Sequence, residues 1–213
     1  MSRIRALLLT VALIAQPAAA QPGADDPRAV IAAVLAHQAA MRGPEGGAQT
    51  CVVPALAGPP AKAGEDDPLI PELGVRIGFQ WHVPEPAASS RPAPPPFDPS
   101  QRRQRRPRPE PVPLPAALDS ALAGQLDGLR AQAAPGAALR GIDEALVPDP
   151  LQLQGPNGDC APLTLSDPAF AGDFAFVETA YACGTTCGNG SLYALQRREG
   201  RWEPVGVADV WIR

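Results

Sequence analysis

The amino-acid sequence predicts an α+β fold: an antiparallel sheet of four or five strands, with two helices on one face. Three observations predict this class. Two segments, 27–42 and 116–134, repeat apolar residues at helical spacing. Residues 74–83 alternate apolar and polar side chains, which is the period of a strand. The stretch 160–213 holds three β-prone segments joined by short glycine-containing turns, which is the pattern of a meander.

The first helix is predicted over 27–42. Asp26 and Pro27 provide an N-cap and a first-turn proline, and Gly43-Pro44 is a typical stop. Gln38 interrupts the apolar face of this helix, and His37 lies at the border of that face. The apolar face itself consists of Val30, Ile31, Val34, Leu35 and Met41.

The remaining elements follow from alternation, helical spacing and turn residues. In the second helix, over 116–134, Leu118, Leu122, Leu126 and Leu129 recur at four, four and three positions, and Pro135-Gly136 ends it. Between the helices the clearest strand signal is at 74–83, because one of its two faces is entirely apolar. The strands are predicted at 49–56, 74–83, 174–183, 191–198 and 202–212, with one further candidate at 151–154.

Residues 1–20 have the organisation of a secretory signal peptide: a basic start, a ten-residue apolar stretch and Ala18-Ala19-Ala20 for cleavage. The alternative is an uncleaved anchor helix, although the apolar stretch is too short to span a bilayer. A single lysine among 17 arginines is typical of a GC-rich bacterial genome. We therefore expect a periplasmic or secreted protein with no transmembrane anchor after cleavage and no nucleic-acid partner.

The composition changes abruptly at 84–115, where 12 of 32 residues are proline and six are arginine. Such a segment cannot bury enough apolar surface to offset its ordering entropy, so we expect it to be disordered or polyproline-II-like. The flanking segments 24–83 and 116–213 then form one domain. The segment is either a solvated linker or a contact for an anionic envelope component, and the arginines of that contact would be Arg102, Arg103, Arg105, Arg106 and Arg108.

Four cysteines in an exported chain predict disulfides rather than metal ligands. Cys183 and Cys187 can bridge a tight hairpin loop, and Cys51 would then pair with Cys160 across a loop of about 110 residues. Alternatively, Cys183 and Cys187 form disulfides with Cys51 and Cys160, act as a labile redox pair, or bind a metal. Zinc would need four ligands, and the chain has only two histidines. We expect no metal and no cofactor.

Catalytic residues cannot be assigned from motifs, because no nucleophile elbow, P-loop or metalloprotease pattern is present in the sequence. His82, on the polar face of 74–83, is either a base or ligand, or a solvated strand residue. His37 is either a functional group or an ordinary helix-flank histidine. Glu178 lies in an apolar strand and is either an acid–base group in a pocket or a residue on the solvent face.

The region 160–213 resembles the C-terminal region of a group of uncharacterised proteobacterial exported proteins. The motifs that carry this resemblance are Cys-Ala-Pro-Leu-Thr-Leu-Ser at 160–166, Phe-Ala-Phe-Val-Glu at 174–178, Cys-Gly-x-x-Cys-Gly-x-Gly at 183–190, Leu-Tyr-Ala-Leu at 192–195 and Trp-x-x-Val…Trp-Ile at 202–212. They cover about a quarter of the chain. The resemblance implies an envelope location and a shared sheet, and it carries no activity.

The sequence favours a non-catalytic, disulfide-stapled exported domain that binds a partner or an envelope component. Two alternatives remain open. The first is a small periplasmic enzyme of unknown reaction that uses Glu178 or His82. The second is a thiol-redox protein that uses Cys183 and Cys187.

Overall fold

The computed structural model describes residues 25–47, 50–60, 75–76, 79–85, 114–156, 158, 160–184 and 187–212. The leader at 1–20, most of the Pro/Arg-rich segment and its basic cluster lie outside the described residues. The described chain combines two α-helices with one mixed sheet, so the α+β class is confirmed. The elements are α1 (Pro27–Gly47), β1 (Thr50–Val52), β2 (Val75–Arg76), β3 (Trp81–His82), α2 (Ser120–Gln132), β4 (Ala134–Pro135), β5 (Gln152–Leu153), β6 (Ala161–Leu165), β7 (Ala169–Ala171), β8 (Phe174–Ala182), β9 (Gly188–Arg198) and β10 (Arg201–Ile212).

The sheet is larger than predicted, and it is not purely antiparallel. Its main strand order is β2-β10-β9-β8-β6-β1-β5, with β3 also on β10, β7 also on β8, and β4 on β7. The predicted antiparallel sheet of four or five strands is therefore wrong in size and direction. The strand β1 pairs in parallel with both β5 and β6. Parallel pairing requires a long crossover, and about a hundred residues separate β1 from these partners in the sequence.

The centre of the sheet is the predicted meander. Strands β8, β9 and β10 pair antiparallel in sequence order and are the longest strands in the described chain. The tight turn between β9 and β10 consists of Glu199 and Gly200, with φ angles of 50° and 78°. Two consecutive positive φ angles are characteristic of the turn that matches the twist of a hairpin.

The described residues of the segment 74–83 form two short strands, β2 and β3, instead of the single predicted one. Arg76 of β2 is opposite Trp211 of β10, and Trp81 of β3 is opposite Ala208. Arg76 and Trp81 are five positions apart, whereas their partners Trp211 and Ala208 are only three positions apart. The segment therefore cannot pair with β10 in one continuous register. After β3, Val83 N donates a hydrogen bond to the Ala116 carbonyl oxygen at 2.7 Å. This contact brings together the two ends of the Pro/Arg-rich segment.

The two helices cover opposite faces of the sheet, so the predicted arrangement with both on one face is wrong. Helix α1 packs on the face that carries Val177 and Leu195, whereas α2 packs, through Leu126, on the face that carries Phe176. The physical reason lies in β8, which is apolar at consecutive positions from Phe174 onward. A strand that is apolar on both faces needs cover on both.

Both helices are capped by aspartate, and their ends differ from the prediction. Asp26 Oδ1 accepts from Arg28 N at 3.0 Å before α1, which continues through Gly43-Pro44 to Gly47, five residues beyond the predicted end at 42. A proline so near a C-terminus removes only one helical hydrogen bond, so the last turn tolerates it. Asp119 accepts from Ala121 N at the start of α2, four residues later than predicted. Neither helix of the described chain is long and apolar enough to be a membrane span.

Candidate functional site

A cavity of about 330 Å³ lies between the C-terminal half of α1 and the polar end of the meander. Its floor comes from β8, β9 and β10, on which side chains two residues apart share a face. The register places Thr179 opposite Ser191, and Ser191 opposite Asp209, so three polar side chains form a row across the strands. Thr179 and Ser191 are buried. The face that is apolar under the first half of α1 therefore becomes polar under the second half.

A chain of hydrogen bonds runs along the cavity wall from Arg42 to the backbone of Glu85. Arg42 Nε donates to Gln38 Oε1 at 3.2 Å, and Gln38 Nε2 donates to the Tyr193 hydroxyl at 2.7 Å. The Tyr193 oxygen lies 3.3 Å from His37 Nδ1, and His37 Nε2 lies 3.2 Å from the Glu85 carbonyl oxygen. Because a carbonyl oxygen only accepts, His37 Nε2 carries the proton and Nδ1 accepts from Tyr193. The four bonds thus all run in one direction.

Burial keeps both titratable rings of this hydrogen-bond chain, those of Tyr193 and His37, neutral. Burial raises the pKa of Tyr193 well above its usual range, although Arg42 and Gln38 act in the opposite sense. Burial also lowers the pKa of His37, opposed by its hydrogen bond to the Glu85 carbonyl. A neutral phenol and a neutral imidazole each donate one hydrogen bond and accept another, as this chain requires.

Arg42 brings a positive charge to the cavity from α1. Its guanidinium carbon lies 4.1 Å from the centre of the Tyr181 ring, which is a cation–π contact. Partial burial lowers the pKa of Arg42, yet an arginine remains protonated in proteins. Within the described ranges, no carboxylate lies at salt-bridge distance from Arg42. Its cation is thus partly removed from water with aromatic and amide partners instead of a counter-ion.

Asp209 brings a negative charge to the same cavity from β10. Its Oδ1 accepts from Ser191 Oγ at 3.1 Å, and Asn189 Nδ2 donates to that same hydroxyl at 3.3 Å. No lysine, arginine or histidine of the described chain lies at salt-bridge distance from Asp209. Arg42 lowers and Asp209 raises the pKa of Tyr193, so both charges lie close to its hydroxyl group.

The mouth of the cavity is more apolar than its floor. Met41 and Val83 line it and are 38% and 44% exposed. Pro84, Glu85 and Pro115 are also part of the lining. The two ends of the Pro/Arg-rich segment therefore meet at the cavity, although residues 86–113 between them lie outside the described chain.

The structure brings both predicted histidines to the cavity and leaves the predicted acid outside it. His37 and His82 both line the cavity, and the buried Nδ1 of His82 has no hydrogen-bond partner in the described chain. Glu178 is only 2% exposed, so the alternative that placed it on the solvent face is wrong. Its neighbour Thr179 lines the cavity, so the alternation of β8 places Glu178 on the other face of the sheet.

The four cysteines form two pairs at disulfide distance. The Cα atoms of Cys51 and Cys160 are 5.7 Å apart, and those of Cys183 and Cys187 are 5.1 Å apart. Cys51 is buried, whereas the hairpin pair is exposed. A second, more open cavity of about 860 Å³ is lined by Cys51, Cys160 and Cys183, and Tyr181 lines both cavities. The described residues contain no His, Cys, Asp or Glu cluster that could hold a metal ion.

Several cavity residues carry no signal that sequence reasoning can recognise. The helical pattern identifies Gln38 as an interruption of the apolar face, and it identifies Arg42 only as a residue near the helix end. The missed residues of the floor are Tyr193, Ser191, Asn189 and Asp209. Asp209, an acid within a β-prone segment, offers the one usable signal. Its meaning depends on α1, which is about 170 residues away in the sequence.

In the comparisons with known proteins, no family model matches this chain, and no curated protein or solved structure matches it. The resemblance of 160–213 to exported proteobacterial proteins therefore stays a prediction.

Proposed function

We propose that this chain is an exported, disulfide-stapled domain that binds a small polar molecule between α1 and the sheet without catalysing a reaction. The observation that carries the proposal is the pair of opposite charges, Arg42 and Asp209, in one cavity without counter-ions in the described chain. The size of the cavity falls in the range of small-molecule sites, which are concave and hold a few well-placed polar groups. Its buried polar floor is preorganised by hydrogen bonds.

Binding fits the arrangement better than catalysis does. Ser191 donates its hydroxyl proton directly to Asp209, and no histidine lies between them as a general base would. The hydroxyl of Tyr193 is protonated and already accepts from Gln38, so it is a poor nucleophile. These groups can position a ligand by hydrogen bonds, and they lack the nucleophile–base pairing that acyl transfer needs.

The binding proposal is tested on material purified from the periplasm of an expression host. Native mass spectrometry of the full chain should show a bound small molecule. Val83→Trp should lose that molecule, because the larger side chain would close the cavity mouth. Ile212→Trp is the matched control, because Ile212 is similarly exposed at 48% and does not line the cavity. Equal occupancy in the two variants, or an empty wild-type protein, would contradict the proposal.

Export and the disulfide staples form the second part of this proposal. The signal-peptide pattern, the two cysteine pairs and the resemblance of 160–213 to exported proteins all support it. A loop of about 110 residues predicts a contribution of roughly 5 kcal/mol for Cys51–Cys160, against about 2 kcal/mol for Cys183–Cys187. Double Cys→Ser variants of each pair, compared by urea denaturation, measure this difference. A larger loss from the hairpin pair would contradict it.

A thiol-redox role for the hairpin pair is the second candidate, and the exposure of Cys183 and Cys187 favours it. Titration with dithiothreitol, followed by alkylation and intact-mass measurement, distinguishes the two roles. Reduction of the hairpin pair at a mild potential, with the fold intact, would support redox chemistry. Reduction of both pairs only on unfolding would leave them as structural staples.

We also propose that the Pro/Arg-rich segment contacts an anionic envelope component. The support is compositional: five arginines within seven residues attract anionic surfaces by up to about 1 kcal/mol each. Binding to phosphatidylglycerol vesicles should weaken with salt, and it should be lost when Arg102, Arg103, Arg105, Arg106 and Arg108 are all changed to Gln. The control changes Arg28, Arg140, Arg198 and Arg201, which are exposed elsewhere. Equal binding of the two variants would remove the proposal.

A further inference from the structure

We propose that the cavity under the C-terminal half of α1 binds a small zwitterion of the amino-acid class, with its carboxylate at Arg42 and its ammonium group at Asp209. This inference rests on the proposed binding function and narrows it to one chemical class of ligand. It follows from the charges of the cavity, from the hydrogen bonds that surround each charge, and from its size and mouth.

The charges come first. Arg42 of α1 and Asp209 of β10 line the same cavity, and Glu85 adds a second carboxylate to its lining. In the described part of the chain neither Arg42 nor Asp209 has an oppositely charged partner within salt-bridge distance. A purely anionic ligand would be attracted by Arg42 and repelled by Asp209, and a purely cationic ligand would meet the reverse. A molecule that carries both charges can place its negative group at Arg42 and its positive group at Asp209.

The polar partners hold each charged side chain in place. Arg42 is oriented by the hydrogen bond from its Nε to Gln38 and by the ring of Tyr181. A guanidinium presents a planar fork of donors that matches a carboxylate. Asp209 is oriented through one oxygen by Ser191, in a chain of donors that begins at Asn189. Each charge is therefore preorganised, which lowers the entropy cost of binding.

The size and the mouth limit the ligand further. A cavity of about 330 Å³ lies at the small end of ligand sites and suits one amino acid or a short peptide. Met41 and Val83 are exposed at the mouth, so an apolar side chain of the ligand would leave the polar floor and contact them. We therefore expect amino acids with apolar side chains to bind more tightly than glycine.

The test uses the oxidised full chain and thermal shift, with the twenty coded L-amino acids and the alanyl dipeptides as probes. At a hundred times its dissociation constant, a bound probe should raise Tm by roughly 5–10 °C. For each probe that binds, the N-acetyl derivative, which lacks the ammonium charge, and the amide, which lacks the carboxylate, should bind about 10- to 100-fold more weakly.

Two variants test which end of the ligand contacts Arg42 and which contacts Asp209. Arg42→Gln should weaken the intact amino acid but not its amide, and Asp209→Asn should weaken the intact amino acid but not its N-acetyl derivative. Arg28→Gln and Asp143→Asn, which remove an exposed ion pair outside the cavity, are the controls. If a variant does not fold, the comparison of the probe with its two derivatives on the wild-type chain still decides.

The outcomes separate this inference from the function it rests on. If none of the probes shifts Tm while native mass spectrometry shows a molecule that Val83→Trp displaces, the zwitterion class is wrong and the binding function stands. Equal affinity for a probe and its blocked derivatives would also overturn the inference. If neither experiment detects a ligand, both the inference and the proposed function fail.

Discussion

The two halves of α1 pack on the same sheet and have opposite characters. The N-terminal half buries Val30, Ile31, Val34 and Leu35 completely against Val177 and Leu195 of the strands. One turn later, Gln38 and Arg42 face a cavity with a polar floor. The change occurs in both layers at the same place, because β8 passes from Val177 to Thr179 within two residues. An apolar core and a polar site thus lie side by side without any change of backbone architecture.

The first half of the helix supplies the hydrophobic free energy that holds α1 on the sheet. The second half can therefore carry the charged side chain of Arg42 and border a cavity, because the attachment of the helix does not depend on it. We expect substitutions in the first half to change stability and those in the second half to change mainly ligand binding.

The largest expected effect is that of Leu35→Ala, in the apolar half. Leu35 is fully buried, so its truncation removes apolar contacts and leaves a cavity, and it should lower the free energy of unfolding by about 2–5 kcal/mol. Urea denaturation measures the loss. Met41→Ala, on the same helix but 38% exposed, is the matched control and should cost less than about 1 kcal/mol. Equal losses would contradict the division between the two halves.

Tyr193→Phe should have the next largest effect, because Tyr193 belongs to both halves. Its ring packs in the apolar core, while its hydroxyl accepts from Gln38 and donates to His37. Removing only the oxygen leaves the buried Gln38 and the half-buried His37 without this partner, at a cost of about 1–3 kcal/mol. Tyr181→Phe is the control, and it retains the ring under Arg42. No difference between the two variants would show that the hydrogen-bond chain contributes nothing to stability.

A smaller effect is expected from pH. Burial lowers the pKa of His37 in the folded state below its ordinary value of 6.5. The unfolded chain therefore binds this proton first, so the stability that neutral His37 provides is complete above pH 6.5 and decreases as the pH falls toward the folded-state pKa. The slope cannot exceed about 1.4 kcal/mol per pH unit for one proton. Denaturation curves of wild type and His37→Gln between pH 7 and 5 test this; parallel curves would contradict it.

The smallest effect on stability is expected from Arg42→Gln. The cation–π contact and the hydrogen bond to Gln38 stabilise Arg42, whereas partial loss of its hydration destabilises it. Because these contributions oppose each other, the free energy of unfolding should change by no more than about 0.5–1 kcal/mol. Urea denaturation of this variant alongside Leu35→Ala measures the difference in stability between the two halves of α1. A loss as large as that of Leu35→Ala would mean that Arg42 holds the helix in place.

Elements whose signals are local can be predicted from the amino-acid sequence. The capped start of α1, the three meander strands and the Glu199-Gly200 turn follow from periodicity and turn residues over a few positions. Alternation also indicated a strand at 74–83, although the structure divides it in two. Short strands such as β6 gave no readable signal, because Pro162 disguises the alternation of Ala161, Leu163 and Leu165.

The way in which these elements pack together depends on the folded chain. The parallel pairing of β1, the placement of the helices on opposite faces and the cavity depend on contacts between distant residues. Gln38 and Tyr193, for example, are 155 residues apart in the sequence and share a hydrogen bond of 2.7 Å. Periodicity tells which face of a helix or strand is buried, but it does not tell which partner covers it. Arg42 and Asp209 line the same cavity only because α1 lies across β10 in the folded chain.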